Sequence, residues 1–430
     1  MKNLINAAGI LSAGLASLAL ATSAYGQDSS KRWTVGAGVR GFFDDNIFTR
    51  PDLTVGGVDQ KVDSFGFDIA PTVSYNVPLS QGNLDVGYTY GLRWFENRPG
   101  NNTDQYHNFN GSFSHNFSPR YKLSLSDNFA LSQEPEQMAA VGGGGLIPFR
   151  TEGDNIRNSA GALFQAQLAG ALSGELNYNN NYYNYDSVGF EQALNRLEHL
   201  FGLNLRYQFR PTTVGVVGYQ YGIYDYTSKA LTQLSPTIIF NPQSKDQNSH
   251  FIYGGADHSF TSRLLGSVRI GAQIAEWDDY TNLGVKSSNS TSTTTPYADA
   301  SMNYSYADGS TVRVGVKHQR NATDLFDEAS NPILDTEATT AYLSVSHKIT
   351  AKLNISGSAL FQNAKFNAAG TAIDGESEKY WNLGVTVSYA FTRYLAGEAS
   401  YYYDNLDSSL FGATREYNRN RVFLGVRFTY

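Results

Sequence analysis

The sequence has no cysteine in 430 residues. That excludes disulfides, thiolate metal sites, a cysteine nucleophile and a lipid anchor on an N-terminal cysteine. Long apolar runs are also missing. Past the first 26 residues, no segment stays apolar for the roughly 18 positions that a spanning helix needs. An excess of positive charge is missing too. The net charge is -7, which argues against general nucleic-acid binding. What the chain has instead is aromatic residues, 29 Tyr and 25 Phe, at a mean hydropathy of only -0.36. Many rings in a hydrophilic chain suit antiparallel sheet with one apolar face.

Residues 1–26 read as a secretory signal peptide. Lys2 supplies the positive start, Ile10 to Ala21 is apolar and small, and Ala24-Tyr25-Gly26 places small residues before a cleavage point at Gln27. The expected mature chain, 27–430, is a single exported domain.

Its patterning has a period of two. In Tyr417 to Tyr430, residues Val422, Leu424, Val426, Phe428 and Tyr430 share one face. Arg419, Arg421, Gly425, Arg427 and Thr429 share the other, with Phe423 as the large apolar exception. Trp33–Val39, Phe65–Val77, Leu84–Trp94, Leu197–Phe209 and Trp381–Tyr389 alternate in the same way. Short polar turns recur near residues 80, 119, 171, 211, 262, 308, 350 and 392. Their spacing of roughly 40 to 50 residues fits two strands, one short turn and one longer loop. Eight hairpins with a first and a last strand predict an all-β, antiparallel, up-and-down transmembrane barrel of about 18 strands. Short turns would lie at the periplasmic rim and long loops at the extracellular rim.

Long loops start after an aromatic residue and an aspartate. Trp277-Asp278, Tyr185-Asp186, Tyr224-Asp225 and Tyr403-Asp404 repeat Phe43-Asp44-Asp45-Asn46. The plain reading is a strand leaving through an aromatic girdle into an Asx-initiated turn. A calcium site at Asp44, Asp45 and Asn46 is a weaker alternative, because EF-hand ligand spacing is absent.

GFFDDNIF, Gly41 to Phe48, resembles the aromatic-Asp-Asp-Asn-Ile motif of the type 2 family of outer-membrane β-barrel porins, which includes exopolysaccharide-associated β-barrel proteins. The resemblance implies an outer-membrane channel with a link to surface polysaccharide. Separately, Gly425, Phe428 and Tyr430 resemble the C-terminal signal read by the barrel assembly machinery.

Enzymatic motifs are not found. Gly36 to Gly41 matches G-x-G-x-x-G but sits inside a strand with no helix after it, and Gly142 to Gly145 lacks the Lys-Ser/Thr of a P-loop. The seven histidines form no His-Glu-x-x-His, and His115, His258 and His347 precede short turns, as interface anchors would. No cofactor is expected.

On the alternation register, Arg40, Arg93, Arg206, Arg269, Arg313, Lys317, Arg421 and Arg427 point into the lumen, as do Asp68, Asp85, Glu175, Glu198, Asp257 and Glu398. Either these charges order water in a transverse field or they satisfy one another. The third long loop, Ser132 to Asn155, carries a glycine run followed by Leu146-Ile147-Pro148-Phe149. Ile147 and Phe149 are expected to dock on the inner wall and constrict the lumen.

The predicted protein is an outer-membrane, porin-like channel for hydrophilic solutes. Its expected partners are lipid, lipopolysaccharide, the barrel assembly machinery and, by resemblance, polysaccharide, with no nucleic acid. A structural or surface-binding barrel without an open pore is the alternative, and a barrel enzyme acting at a rim is a lesser one.

Overall fold

The computed structural model describes residues 32–430 except 56–57, 133–154, 186–194, 229–231, 236–237, 241, 278–279, 283–284, 288–291, 324–332, 369–373 and 411–415. The expected signal peptide, 1–26, and the proposed constriction at Ile147 and Phe149 lie outside the described residues.

Eighteen antiparallel strands form one sheet. They are β1 (Trp33–Asp44), β2 (Ser64–Leu79), β3 (Gly82–Phe95), β4 (Thr103–Ser118), β5 (Tyr121–Ser132), β6 (Asn155–Ala169), β7 (Leu172–Tyr185), β8 (Arg196–Arg210) and β9 (Thr213–Tyr226). The second half comprises β10 (Gln247–Thr261), β11 (Leu264–Trp277), β12 (Ser292–Ala307), β13 (Ser310–Ala322), β14 (Asp335–Lys348), β15 (Leu353–Asn367), β16 (Ser377–Ala390), β17 (Leu395–Ser408) and β18 (Tyr417–Thr429). Each strand pairs with the next, and β1 also pairs with β18, from Gly36↔Thr429 to Asp44↔Arg421. The sheet therefore closes on itself and has no free edge along this seam.

The closure is explained by the alternation. Outward positions carry Val217, Ile270 and Leu424, each about two-thirds exposed (66%, 66% and 68%). A face this apolar and this open to the surroundings suits lipid rather than water. Inward positions on the same strands carry mostly polar, charged and small residues, with Val216, Trp277 and Phe423 as buried apolar exceptions. All eight expected turns are present on one rim, between β2 and β3 and at each later pair up to β16 and β17. Longer connections occupy the opposite rim.

Single cysteines in this cysteine-free chain provide a direct topology test. Leu203, Leu205 and Val385 are exposed on the outer face, whereas Asn204, Arg206, Gly384 and Thr386 alternate with them on the inner face. Water-borne thiol reagents are expected to label Asn204→Cys and Thr386→Cys and to spare Leu203→Cys and Val385→Cys. Equal labelling of both sets in folded, membrane-inserted protein would contradict the register.

Pairing between β12 and β13 stops short of the long-loop rim. β12 and β13 pair only as far as Ala298↔His318, although β12 stays paired with β11 up to Ser292 and β13 with β14 up to Ala322. Above that point the end of β13 leans into the lumen. Gln273 of β11 captures the Arg320 backbone, accepting from its N–H at 2.7 Å and donating to its carbonyl at 3.2 Å. The Thr323 carbonyl accepts from the Tyr226 hydroxyl at 3.1 Å and from the Lys245 ammonium.

Candidate functional site: the inner wall and the first loop

The inner wall around β1 is built from rings and arginines. Phe42, Phe95 and Phe423 are buried on the inward face, with Phe42 5.3 Å from Phe95 and 5.7 Å from Phe423 between ring centroids. Gly66 sits between Phe42 and Phe95 in the pairing. A Cβ there would lie 2.3 Å from the Phe42 ring, so only glycine lets the two rings meet across β2. Phe423, the exception in the last strand's alternation, is thereby accounted for: it packs inside the barrel.

The first loop completes this cluster. Ile47 is 2% exposed and packs on Phe42, Phe95 and Phe423, with Phe48 and Val62 beside it. Arginines stack on the rings. Arg40 lies 5.1 Å from the Phe423 centroid and Arg98 5.1 Å from that of Phe95, while Arg50 lies 4.9 Å from that of Phe48.

Asp44-Asp45-Asn46 holds the loop in this inward position. The Asp44 carboxylate accepts from Arg419 Nε at 2.9 Å and from Arg419 Nη2. Asp45 accepts from the Asn420 N–H at 2.6 Å and the Asn420 amide at 2.7 Å. The Asn46 side chain donates to the Arg50 carbonyl (2.8 Å) and the Asn418 carbonyl (3.0 Å), and its oxygen accepts from the Arg50 N–H (2.9 Å). The oxygens proposed for a cation thus face protein donors, led by a guanidinium. Among the described residues, no three His, Cys, Asp or Glu side chains gather as a metal-ligand group. The motif is both a strand exit and a latch joining the first loop to the last strand.

The predicted lumen charges lie in networks that run along the wall. Asp68, fully buried, accepts from Arg40 at 2.9 Å and from Arg93 at 3.3 Å. Asp257 bridges Arg206 (2.7 Å) and Arg269 (2.8 Å), and Glu175 stands 3.5 Å from Arg206. Glu398 pairs with Arg427, and Glu198 with Arg196 at 2.8 Å. Arg421 reaches Asp404 at 2.7 Å. Asp85 accepts from the Ser112 hydroxyl at 3.4 Å and from the Asn76 and Asn83 amides. Lys317 stands opposite Asp299, and Arg313 opposite Asn303. In the ion-pair networks acids and bases stand beside each other on the same strand or on nearby strands, so their fields are local rather than one transverse field.

Sequence reasoning missed several inward charges near the long-loop rim, Arg98, Asp104, Arg320, Asp335 and Asp404, and it placed Arg419 on the inward face and Asp44 at a strand exit without pairing them. Arg320 meets Asp335 at 2.8 Å, and Arg98 meets Asp104 at 2.5 Å. For Asp404, extending the alternation from Glu398 to the strand end would have found it. Arg320 could not be found that way, because alternation groups it with outward Val314 and Val316, and only the parting of β13 from β12 above His318 brings it inside.

A closed ring that is apolar outside and charged inside, with loops folded into its mouth, defines a porin-like transmembrane β-barrel. Residues 240–430 match the family described as Putative beta-barrel porin 2. No curated protein matches the chain in sequence. Among solved structures it is similar to OpdK of Pseudomonas aeruginosa, crystallised with vanillate, at 10% identity over 93% of this chain and 99% of that chain, with a TM-score of 0.44. A BenF-like porin from Pseudomonas fluorescens Pf-5 is 11% identical over the same shares (TM-score 0.43), and OccAB4 of Acinetobacter baumannii is 12% identical, again over 93% and 99% (TM-score 0.43).

Proposed function

We propose that the protein is an outer-membrane channel for small hydrophilic solutes, narrowed at its long-loop rim. The observation that carries this reading is the closed 18-stranded ring with apolar residues outside and paired charges inside. A wet, charged lumen passes polar solutes by diffusion, and its narrowest point sets their size. The first loop enters from the β1 wall. The inward end of β13, with Lys245, enters from the β9–β13 wall, which lies opposite in an 18-stranded ring. Arginines and rings at the first loop suit solutes that carry a carboxylate or a planar face. A link to surface polysaccharide rests on the GFFDDNIF resemblance alone.

Planar-bilayer recording tests the reading. Wild-type protein is expected to give discrete conductance steps. Replacing Ile47-Phe48 with Gly-Gly frees the first loop from Phe42, Phe95 and Phe423 and is expected to raise the step size at least twofold. Absence of steps from heat-modifiable, folded protein would favour the structural barrel without an open pore, which the inward packing of the loops also suits. An unchanged step size would place the narrowest point elsewhere.

A further inference from the structure

The outer face is largely apolar between its rims: Tyr–His pairs such as Tyr88–His107 and Tyr219–His250 recur toward the long-loop rim, and one row carries a carboxylate deeper in the band. Gly111, Asp127, Ala160, Asn180 and His199 are register partners across β4 to β8, so they share a face, and it is the outward one. Asp127 stands between Leu125 and Phe129 on its own strand. It is the one outward carboxylate, among the described residues, with apolar same-face neighbours on both sides. Asn158, also outward, donates to Asp127 Oδ1 at 3.0 Å. The Asn180 amide reaches His199 Nδ1 at 3.3 Å, and the Tyr178 hydroxyl contacts the same nitrogen at 2.8 Å. The neighbouring row, Leu125, Ala162, Tyr178 and Phe201, is apolar or amphipathic.

Lipid tails offer no hydrogen bonds, so an ionisable group in mid-band is costly against lipid and suits a protein neighbour. Gly111, Ala160 and Ala162 also leave the wall low here, which permits close approach of a second wall. The row holds an acceptor, the Asp127 carboxylate, together with donors on Asn158 and on the His199 ring nitrogen turned away from Tyr178, while the Asn180 amide is spent on the Glu198 carbonyl and His199. A surface with both can complement a copy of itself, as a closed symmetric contact requires. We propose that the outer face of β4–β8, centred on Asp127 and Ala160, is the interface between side-by-side copies of this chain in the membrane. This rests on the membrane-barrel reading above.

The test is the mass of the full-length folded protein in lipid nanodiscs, read by mass photometry, with outer-membrane fractionation and heat modifiability measured in parallel. Wild type is expected at a multiple of the monomer mass. Asp127→Leu and Ala160→Trp are expected to lower the oligomer population at least tenfold, whereas Ala399→Trp, outward on the distant β17, leaves it unchanged. A monomeric wild type overturns the proposal, as does an oligomer that survives both Asp127→Leu and Ala160→Trp. A complex containing a different protein in place of the second copy also overturns it. Failure to fractionate with the outer membrane would instead count against the membrane-barrel reading.

Discussion

Deleting Phe428-Thr429-Tyr430 is expected to abolish stable insertion, leaving protein that is degraded in the periplasm and shows no heat-modifiable band in the outer membrane. The structure gives two reasons. The Tyr430 backbone exchanges hydrogen bonds with Val35 at 2.8 and 3.2 Å, and Phe428 stands opposite both Ala37 and Leu395. The Tyr430 ring lies 5.7 Å from both Trp33 and Tyr394. The three residues therefore hold the short-turn end of the β1–β18 seam, and without them two strand edges lie open to lipid, where unpaired backbone groups are severely penalised. The same residues resemble the assembly signal. Changing Phe428 and Tyr430 to leucine separates the two roles, since backbone pairing survives while the aromatic signal is lost. Normal amounts of folded barrel from the deletion would contradict both.

The second large effect is expected at the latch. Arg419→Ala leaves the Asp44 carboxylate buried without its guanidinium, a loss of about 3 to 5 kcal/mol for a buried pair broken on one side. The expected readout is a clearly lower temperature for the heat-modifiability transition, with a higher bilayer conductance as the first loop loosens. Asp44→Ala with Arg419→Ala should cost less than the two single changes summed, because neither charge is then left without its partner. A transition temperature unchanged in Arg419→Ala would remove the latch from the stability of the barrel.

The barrel was legible in the sequence because its signals are local. Alternation within Leu197–Phe209 or Trp381–Tyr389 assigns faces without reference to any other strand, and each short turn follows its own strand directly. That is why the strand number and the turn positions agree with the structure. The latch was not legible because its partners are remote: Asn46 meets Asn418 across 372 residues, and Asp44 meets Arg419 across 375. No local pattern pairs them, so Asp44-Asp45-Asn46 looked like a strand exit with a metal alternative. Phe423 registered as an exception, but Phe42 and Gly66 were needed to explain it. Asp127 was hidden for the opposite reason. Registers are read from apolar residues, and a polar row on the outer face breaks the signal used to find it.

The latch also ties pore shape to the completion of the wall. Every side chain of Asp44-Asp45-Asn46 takes a partner from Asn418, Arg419 or Asn420, at the start of the final strand. A shift of one residue along the seam would turn those partners to the wrong face. A shift of two would set Asp45 against Val422 in one direction or leave Asp44 beside Tyr417 in the other. The first loop can therefore settle on Phe42, Phe95 and Phe423 only after the two ends of the chain have met in one alignment. The loop that follows the first strand thus depends for its final shape on the last strand, and a wall that is unfinished or misaligned keeps a mouth without this loop in place.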